Sequence, residues 1–267
     1  MIRIVIVGAA GRMGKRLIAN ILEAADLQLA GAVEWEKSPD LGKDAGLNAG
    51  AREAGVTITA ELEPLLEQAD AIIDFSTGTV LRDAELAVKH HCAVVLGTTA
   101  LNADDRDRLH TLGEQGGRLV VASNMSVGVN LLFNLVGKVA KILGEDYDIE
   151  IVEMHHNQKK DAPSGTAVTL AEKICAATGM SYDDDVTHGR QGLVGARPKR
   201  QIGMHALRGG DVVGDHTVIF ATGGERVELS HKASSRDTFA KGALRAVRFL
   251  AAAKPGCYSM QDVLGLN

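Results

Sequence analysis

The segment Glu153-Met-His-His-Asn-Gln-Lys-Lys-Asp-Ala-Pro-Ser-Gly-Thr166 gathers two imidazoles and two ammonium groups into one short loop. His155, His156, Lys159 and Lys160 directly precede Asp161–Thr166, which reads as a helix start with Pro163 just inside the helix. Unpaired N–H groups and the helix dipole favour an anion at such a place. Imidazoles add proton donors whose charge changes near neutral pH. Together these groups suit a small substrate that carries carboxylates and needs a proton. The plainer alternative is a solvated basic loop ahead of an ordinary capped helix. Against it, the strand-like run Asp148–Met154 ends immediately before the histidines, and strand-to-helix loops are where sites form.

A second constellation opens the chain. The apolar run Ile2–Val7 reads as a strand buried on both faces, and residues 15–24 carry helical spacing of apolar side chains. Gly8, Gly11 and Gly14 lie between them, where glycine allows a tight turn and close backbone approach to a pyrophosphate at the helix start. The spacing is GxxGxxG, because Ala10 occupies the middle position of the commoner fingerprint. Glu34 ends the next strand, Leu27–Val33, and can accept hydrogen bonds from a ribose. A structural turn with an unrelated surface glutamate is the alternative. Two polar loops, Gly97-Thr98-Thr99 and Ser123-Asn124-Met125, follow later strands and fall on the same face. Either alone is also compatible with turn chemistry.

The elements that must position these groups follow from pattern. Further strands are expected at 71–75, 93–96 and 118–122, with helices at 79–91 and 102–115 between them, which implies a parallel α/β sheet. After about residue 125 the pattern changes: a helix over 126–143, a strand over 147–154, and a helix over 164–177. That last helix shows Val168, Ala171, Ile174 and Cys175 on one face and Gly179 as its C-cap. Residues 181–200 read as an exposed loop. The strands 201–207, 217–221 and 226–230 lack intervening helices and are expected to be antiparallel neighbours. An amphipathic helix over 238–252 closes the chain.

A length of 267 residues suits two domains. Aromatic residues make up only 3% and the net charge is −5, which disfavours a nucleic-acid binder. No signal-type opening and no apolar run of membrane-spanning length are read here. Cys92, Cys175 and Cys257 are widely spaced and odd in number, as expected of reduced packing residues in a cytoplasmic protein.

Val7-Gly-Ala-Ala-Gly-Arg-Met-Gly14, Asp74-Phe-Ser-Thr77, Gly97-Thr-Thr99, Asn124–Asn130, Glu153–Thr166 and Leu207–Thr217 together resemble the 4-hydroxy-tetrahydrodipicolinate reductase (dihydrodipicolinate reductase) family, nearly end to end. The His-His-x-x-Lys-x-Asp-Ala-Pro-Ser-Gly-Thr string is highly specific; the glycine loop alone is not. The resemblance implies hydride transfer from NADH or NADPH to a cyclic dicarboxylate, with loss of water, in lysine and diaminopimelate biosynthesis. It implies an α/β fold: a Rossmann-type dinucleotide-binding domain, residues 1–125 joined by 236–267, and a mixed-sheet α+β domain, residues 126–235, for substrate binding and oligomerisation. A homotetramer is implied, and no metal.

By position, the resemblance makes His155 the proton donor and acceptor and Lys159 the second donor. His156, Gly165 and Thr166 would bind substrate. Gly8, Ala9, Ala10, Gly11, Arg12, Met13, Gly14, Glu34, Gly97, Thr98, Thr99, Ala122, Ser123, Asn124 and Met125 would touch the cofactor. Two departures stand out. Trp35 replaces the arginine that follows the acidic residue in several relatives, which favours NADH over NADPH, and Met125 replaces an aromatic. Two rival readings are a cysteine-dependent semialdehyde dehydrogenase and a nucleotide-sensing module without turnover.

Overall fold

Ile2–Val7 forms β1 of a parallel sheet, and its apolar run is buried from Ile4 onward, as a central strand covered on both faces requires. In the computed structural model, which describes residues 1–98 and 101–266, the chain divides into two compact units. One comprises Met1–Val127 and Arg236–Gly265; the other is Gly128–Ser235.

The first unit continues with α1 (Arg12–Glu23), β2 (Leu27–Val33), α2 (Ala45–Asn48), β3 (Ile58–Thr59) and α3 (Glu63–Leu66). Then come β4 (Ala71–Asp74), α4 (Val80–Lys89), β5 (Ala93–Leu96), α5 (Ala103–Glu114) and β6 (Arg118–Val121). The second unit holds α6 (Val127–Leu143), β7 (Asp148–His155), α7 (Gly165–Thr178), α8 (Tyr182–Asp185), β8 (Val186–His188), β9 (Ile202–Arg208), β10 (Gly214–Thr222) and β11 (Glu225–Ala233). The chain then returns to the first unit as α9 (Asp237–Ala252), β12 (Gly256–Tyr258) and α10 (Met260–Leu264).

The first sheet has the order β12-β6-β5-β4-β1-β2-β3, and every pairing is parallel. Strand order reverses between β1 and β4, the place where open sheets of this kind bind ligands. Core packing puts Ile4, Ile6, Leu17, Ile18 and Ile21 against Ala243, Val247 and Leu250 of α9. Gly242 lets α9 come close, because a Cβ there would stand 1.7 Å from the Met125 carbonyl oxygen.

The second sheet is mixed, in the order β11-β10-β7-β9-β8. Strand β7 is central, antiparallel to β10 and parallel to β9. Along β7 burial alternates, so Ile149, Ile151, Glu153 and His155 share the inner face. That face packs on α6 through Leu132, Phe133 and Val136 and on α7 through Leu170, Ala171 and Ile174.

Several sequence-based expectations need correction. The first helix begins at Arg12, so Gly14 lies inside it, not ahead of it. Pro163 is not inside α7: it follows a cis peptide bond and precedes the cap, Ser164, whose Oγ accepts from the Ala167 N–H at 3.3 Å. The buried face of α7 is Ala167, Leu170, Ala171, Ile174 and Cys175, and Val168 is only half-buried. Residues 181–200 are not all loop, since α8 and the edge strand β8 lie there. Strands β9 and β10 are not neighbours: β7 lies between them, because α7 provides the long crossover that a parallel β7–β9 pair needs. Finally, Val127–Asp146 is long and apolar enough to cross a membrane by length and composition, at a mean hydropathy of 1.4. Its inner face, Val129 to Ala140, is instead buried in the core of the second unit.

Candidate active site

Cross-strand register explains how the second unit assembles its polar cluster. His216 of β10 lies opposite Glu153, and Arg208 of β9 lies opposite His155. Because α7 packs on the same face, its first turn arrives at this end of β7. The result is a cluster of Glu153, His155, Arg208, Ser164 and His216, where the apolar core gives way to polar groups.

Glu153 has no solvent exposure. Its Oε2 accepts from His155 Nδ1 at 2.6 Å and from Arg208 at 2.9 Å, and its Oε1 accepts from Arg208 and from the Ser164 N–H, both at 3.0 Å. Burial alone would raise this carboxyl, but the bonds from His155 and Arg208 outweigh it and hold the group at about 2. His216 Nε2 lies 3.0 Å from Ser164 Oγ, and its ring meets His155 edge-on at 5.2 Å between centroids. Burial, then the neighbouring His155, pushes His216 down to about 3, so it is neutral at physiological pH.

The loop after β7 is laid along the β9–β10 connection. His156 N–H donates to Val212 O at 2.7 Å, Asn157 N–H to Gly210 O at 3.2 Å, and Gly209 N–H to His155 O at 2.9 Å. Lys159 Nζ donates to both Asp161 oxygens, at 2.8 and 2.9 Å, and only 20% of its side chain is exposed. Gly165, the first residue of α7, faces open space: nothing stands within 4 Å of the Cβ it lacks. No acidic residue occupies the first turn of α7, which keeps the helix start attractive to an anion. Thr166 follows, half-buried. All five residues expected on the substrate side, His155, His156, Lys159, Gly165 and Thr166, therefore lie on one stretch, and His155 is its buried member.

In the first unit, Gly8 adopts φ +74°, a conformation that favours glycine. Its N–H and that of Ala9 both donate to Val33 O, at 2.9 Å. A Cβ on Gly14 would fall 2.1 Å from Gly8 O, so α1 and the loop touch backbone to backbone. Helix α1 has no side-chain cap and no acid in its first turn, a cradle of the kind a pyrophosphate fills. Glu34 Oε2 accepts from the Ala10 N–H at 2.8 Å, which holds the carboxylate at this loop. Arg12 is exposed, Met13 half-buried and Ala9 buried.

Gly97 leaves room for the Phe75 ring, whose atoms would lie 2.3 Å from a Cβ. Thr98 is buried, and Thr99 lies outside the described residues. Ala122 N–H donates to Leu96 O, and Asn124 Oδ1 accepts from Ser126 N–H. Ser123 is exposed, whereas Met125 is packed in the core. Burial, with the charge of Arg12 behind it, lowers Arg236 at the turn into α9.

Sequence reasoning assigned no role to Glu153, Arg208, Ser164, His216 or Arg236. The first was within reach, because strand alternation puts Glu153 and His155 on the same face. The thiols are unlike nucleophiles: burial raises Cys92 and Cys175 and pushes Cys257 to about 11.

A family model described as dihydrodipicolinate reductase, N-terminus, matches residues 2–125, and one described as its C-terminus matches residues 128–264. The 4-hydroxy-tetrahydrodipicolinate reductase of Syntrophotalea carbinolica is 49% identical, with 100% of both chains covered. That of Burkholderia multivorans is also 49% identical, over 99% of this chain and 100% of its own. The dipicolinate-bound dihydrodipicolinate reductase from Paenisporosarcina sp. TG-14 shares the fold, with a TM-score of 0.75, 23% identity and 98% of each chain covered.

His216 generates a pH prediction. The unfolded chain protonates this imidazole near 6.5 and the folded chain only near 3, so stability falls as pH drops through that window. Glu153 adds its own loss only below about 4.5, as pH falls towards 2. His216→Gln should therefore flatten the fall in the urea midpoint between pH 6.5 and 4.5; an unchanged slope there contradicts the assignment.

Proposed function

The chain belongs to the dihydrodipicolinate reductase family, and on that premise we propose that His155 and Lys159 move the protons as 4-hydroxy-tetrahydrodipicolinate is reduced to tetrahydrodipicolinate with loss of water. The protein is an NAD(P)H-dependent oxidoreductase of lysine and diaminopimelate biosynthesis. The observation that carries the residue assignment is the open start of α7 at Gly165, joined through Glu153 to the buried His155.

The second unit holds the substrate. Gly165 and Thr166 N–H groups and the α7 dipole receive one carboxylate, and His156 and Lys159 offset the remaining charge. When bound, the reduced nicotinamide supplies the hydride. Addition to a conjugated ring leaves an electron-rich enamine, and His155 gives it a proton. Lys159 is the second donor; substrate takes it from Asp161, whose side chain is 64% exposed and returns readily to water. The semialdehyde reading lacks an activated thiol, and the sensor reading leaves this cluster without a purpose.

The first unit holds the dinucleotide at Gly8–Gly14, Glu34, Gly97, Thr98 and Ala122–Met125. Glu34 welcomes a free 2′-hydroxyl and repels a 2′-phosphate, and Trp35, 59% exposed, brings no cation. NADH is therefore the preferred cofactor, with Arg12 and Lys37 permitting some use of NADPH. Strand β11 is an edge strand with Val227 exposed, and Leu193, Val194 and Leu207 of the same unit are also exposed. A homotetramer that covers them through residues 126–235 fits these surfaces. Three free cysteines suit a reducing, cytoplasmic setting.

Lys159→Ala and His155→Gln should each lower kcat by roughly 10²–10³-fold with NADH affinity intact, whereas His156→Gln should act mainly on KM. Near-normal kcat at saturating substrate removes that residue from the catalytic pair. Trp35→Arg should improve kcat/KM for NADPH, and a clear NADPH preference in the unmodified protein contradicts the cofactor reading. Light scattering should give a tetramer; a concentration-independent monomer rejects it.

A further inference from the structure

Glu153 takes no part in the reaction as assigned, yet it is the most heavily hydrogen-bonded carboxylate of the site. It has no solvent exposure, and His155, Arg208 and the Ser164 amide all donate to it. A carboxylate so surrounded by donors is ionised, and an ionised carboxylate only accepts. The His155 nitrogen that faces it at 2.6 Å must therefore carry the hydrogen. The other ring nitrogen, Nε2, borders Gly214, where a Cβ would stand only 3.0 Å away; glycine keeps that side of the ring open. On the flank, the His216 ring stands 5.2 Å from His155 and blocks rotation of the imidazole out of this orientation.

We propose that Glu153 is the positioning residue of the proton-transfer group: it holds His155 as the Nδ1–H tautomer, so that Nε2 alone exchanges protons with substrate. Through the Ser164 amide it also fixes that nitrogen relative to the start of α7. This rests on the reading of His155 as the proton donor. In the acid form both ring nitrogens carry hydrogen. The Nε2 proton passes to the substrate carbon, the Nδ1–H tautomer remains, and Glu153 neither gains nor loses a proton. With the tautomer reversed, Nε2 of the neutral ring has no lone pair to take up the next proton, and without the carboxylate the doubly protonated acid form loses its stabilising partner. Arg208 has a supporting part, because its two bonds keep the buried carboxylate charged.

The test pairs neutron diffraction with kinetics. In the unmodified protein at a pH where His155 is neutral, hydrogen should appear on Nδ1 and not on Nε2. Glu153→Gln keeps the shape but offers an amide N–H, so the hydrogen should move to Nε2 and kcat should fall by ~10²-fold or more, with KM for NADH unchanged. Glu153→Asp restores the charge and should recover part of kcat. If Glu153→Gln alone fails to fold because Arg208 is left unpaired, Glu153→Gln with Arg208→Gln removes both charges and carries the same readouts. A bare Nδ1 in the unmodified protein overturns the proposal. So does a kcat loss in Glu153→Gln with hydrogen still on Nδ1, which would make Glu153 a structural buttress. His155→Gln separates the two readings: if it keeps kcat, the catalytic assignment falls, whereas if it loses kcat while Glu153→Gln keeps it, only this inference falls.

Discussion

A carboxylate with no access to water has to be balanced by its neighbours, and the second unit is organised around balancing Glu153. Its partners come from the end of β7, the end of β9 and the cap of α7. Removing one partner of such a buried pair costs about 3–5 kcal/mol, comparable to a large part of a domain's stability. The strands therefore cannot slip in register without stranding a charge. A one-residue slip of β9 would carry Arg208 away from Glu153, and the same slip of β10 would remove His216 from Ser164. The stability of the sheet and the geometry of the site are thus set by the same bonds.

The first unit meets an analogous constraint with backbone instead of charge. The contact of α1 with the glycine loop is too close for any side chain at Gly14, as is that of α9 with Met125 at Gly242. Close approach leaves the uncapped start of α1 bare, and it fixes Glu34 at the same loop through the Ala10 amide. In both units a helix starts without an acid in its first turn, and in both a glutamate is tied to the loop in front of that helix. The settings differ, since Glu34 is partly accessible, whereas Glu153 is sealed among its donors.

Much of this was legible before any coordinates. The parallel sheet follows from short apolar runs alternating with helical spacing; the amphipathic pattern of the last long helix says that it packs on a core, and the family resemblance implies that this core is the first unit's. The proposed catalytic stretch is contiguous, so its residue types and order carry the signal directly. Less legible were the features that depend on register. Nothing local says that Arg208 stands opposite His155 or His216 opposite Glu153, because those pairings depend on β7 lying between β9 and β10. Pro163 misled because a proline ahead of Ser-Gly-Thr fits both the first helical turn and the segment before a cap. The edge strand β8 was hidden because a three-residue strand, half-exposed, has no periodicity to read.

On the proposed reading, a dicarboxylate lies at the start of α7 beside a His155 held by Glu153. A crystal structure of the protein with NADH and dipicolinate, a planar diacid, tests it most directly. One carboxylate is expected on the Gly165 and Thr166 amides, with Lys159 released from Asp161 and the Glu153–His155 bond intact. A diacid bound away from α7, or one that draws His155 off Glu153, would contradict it.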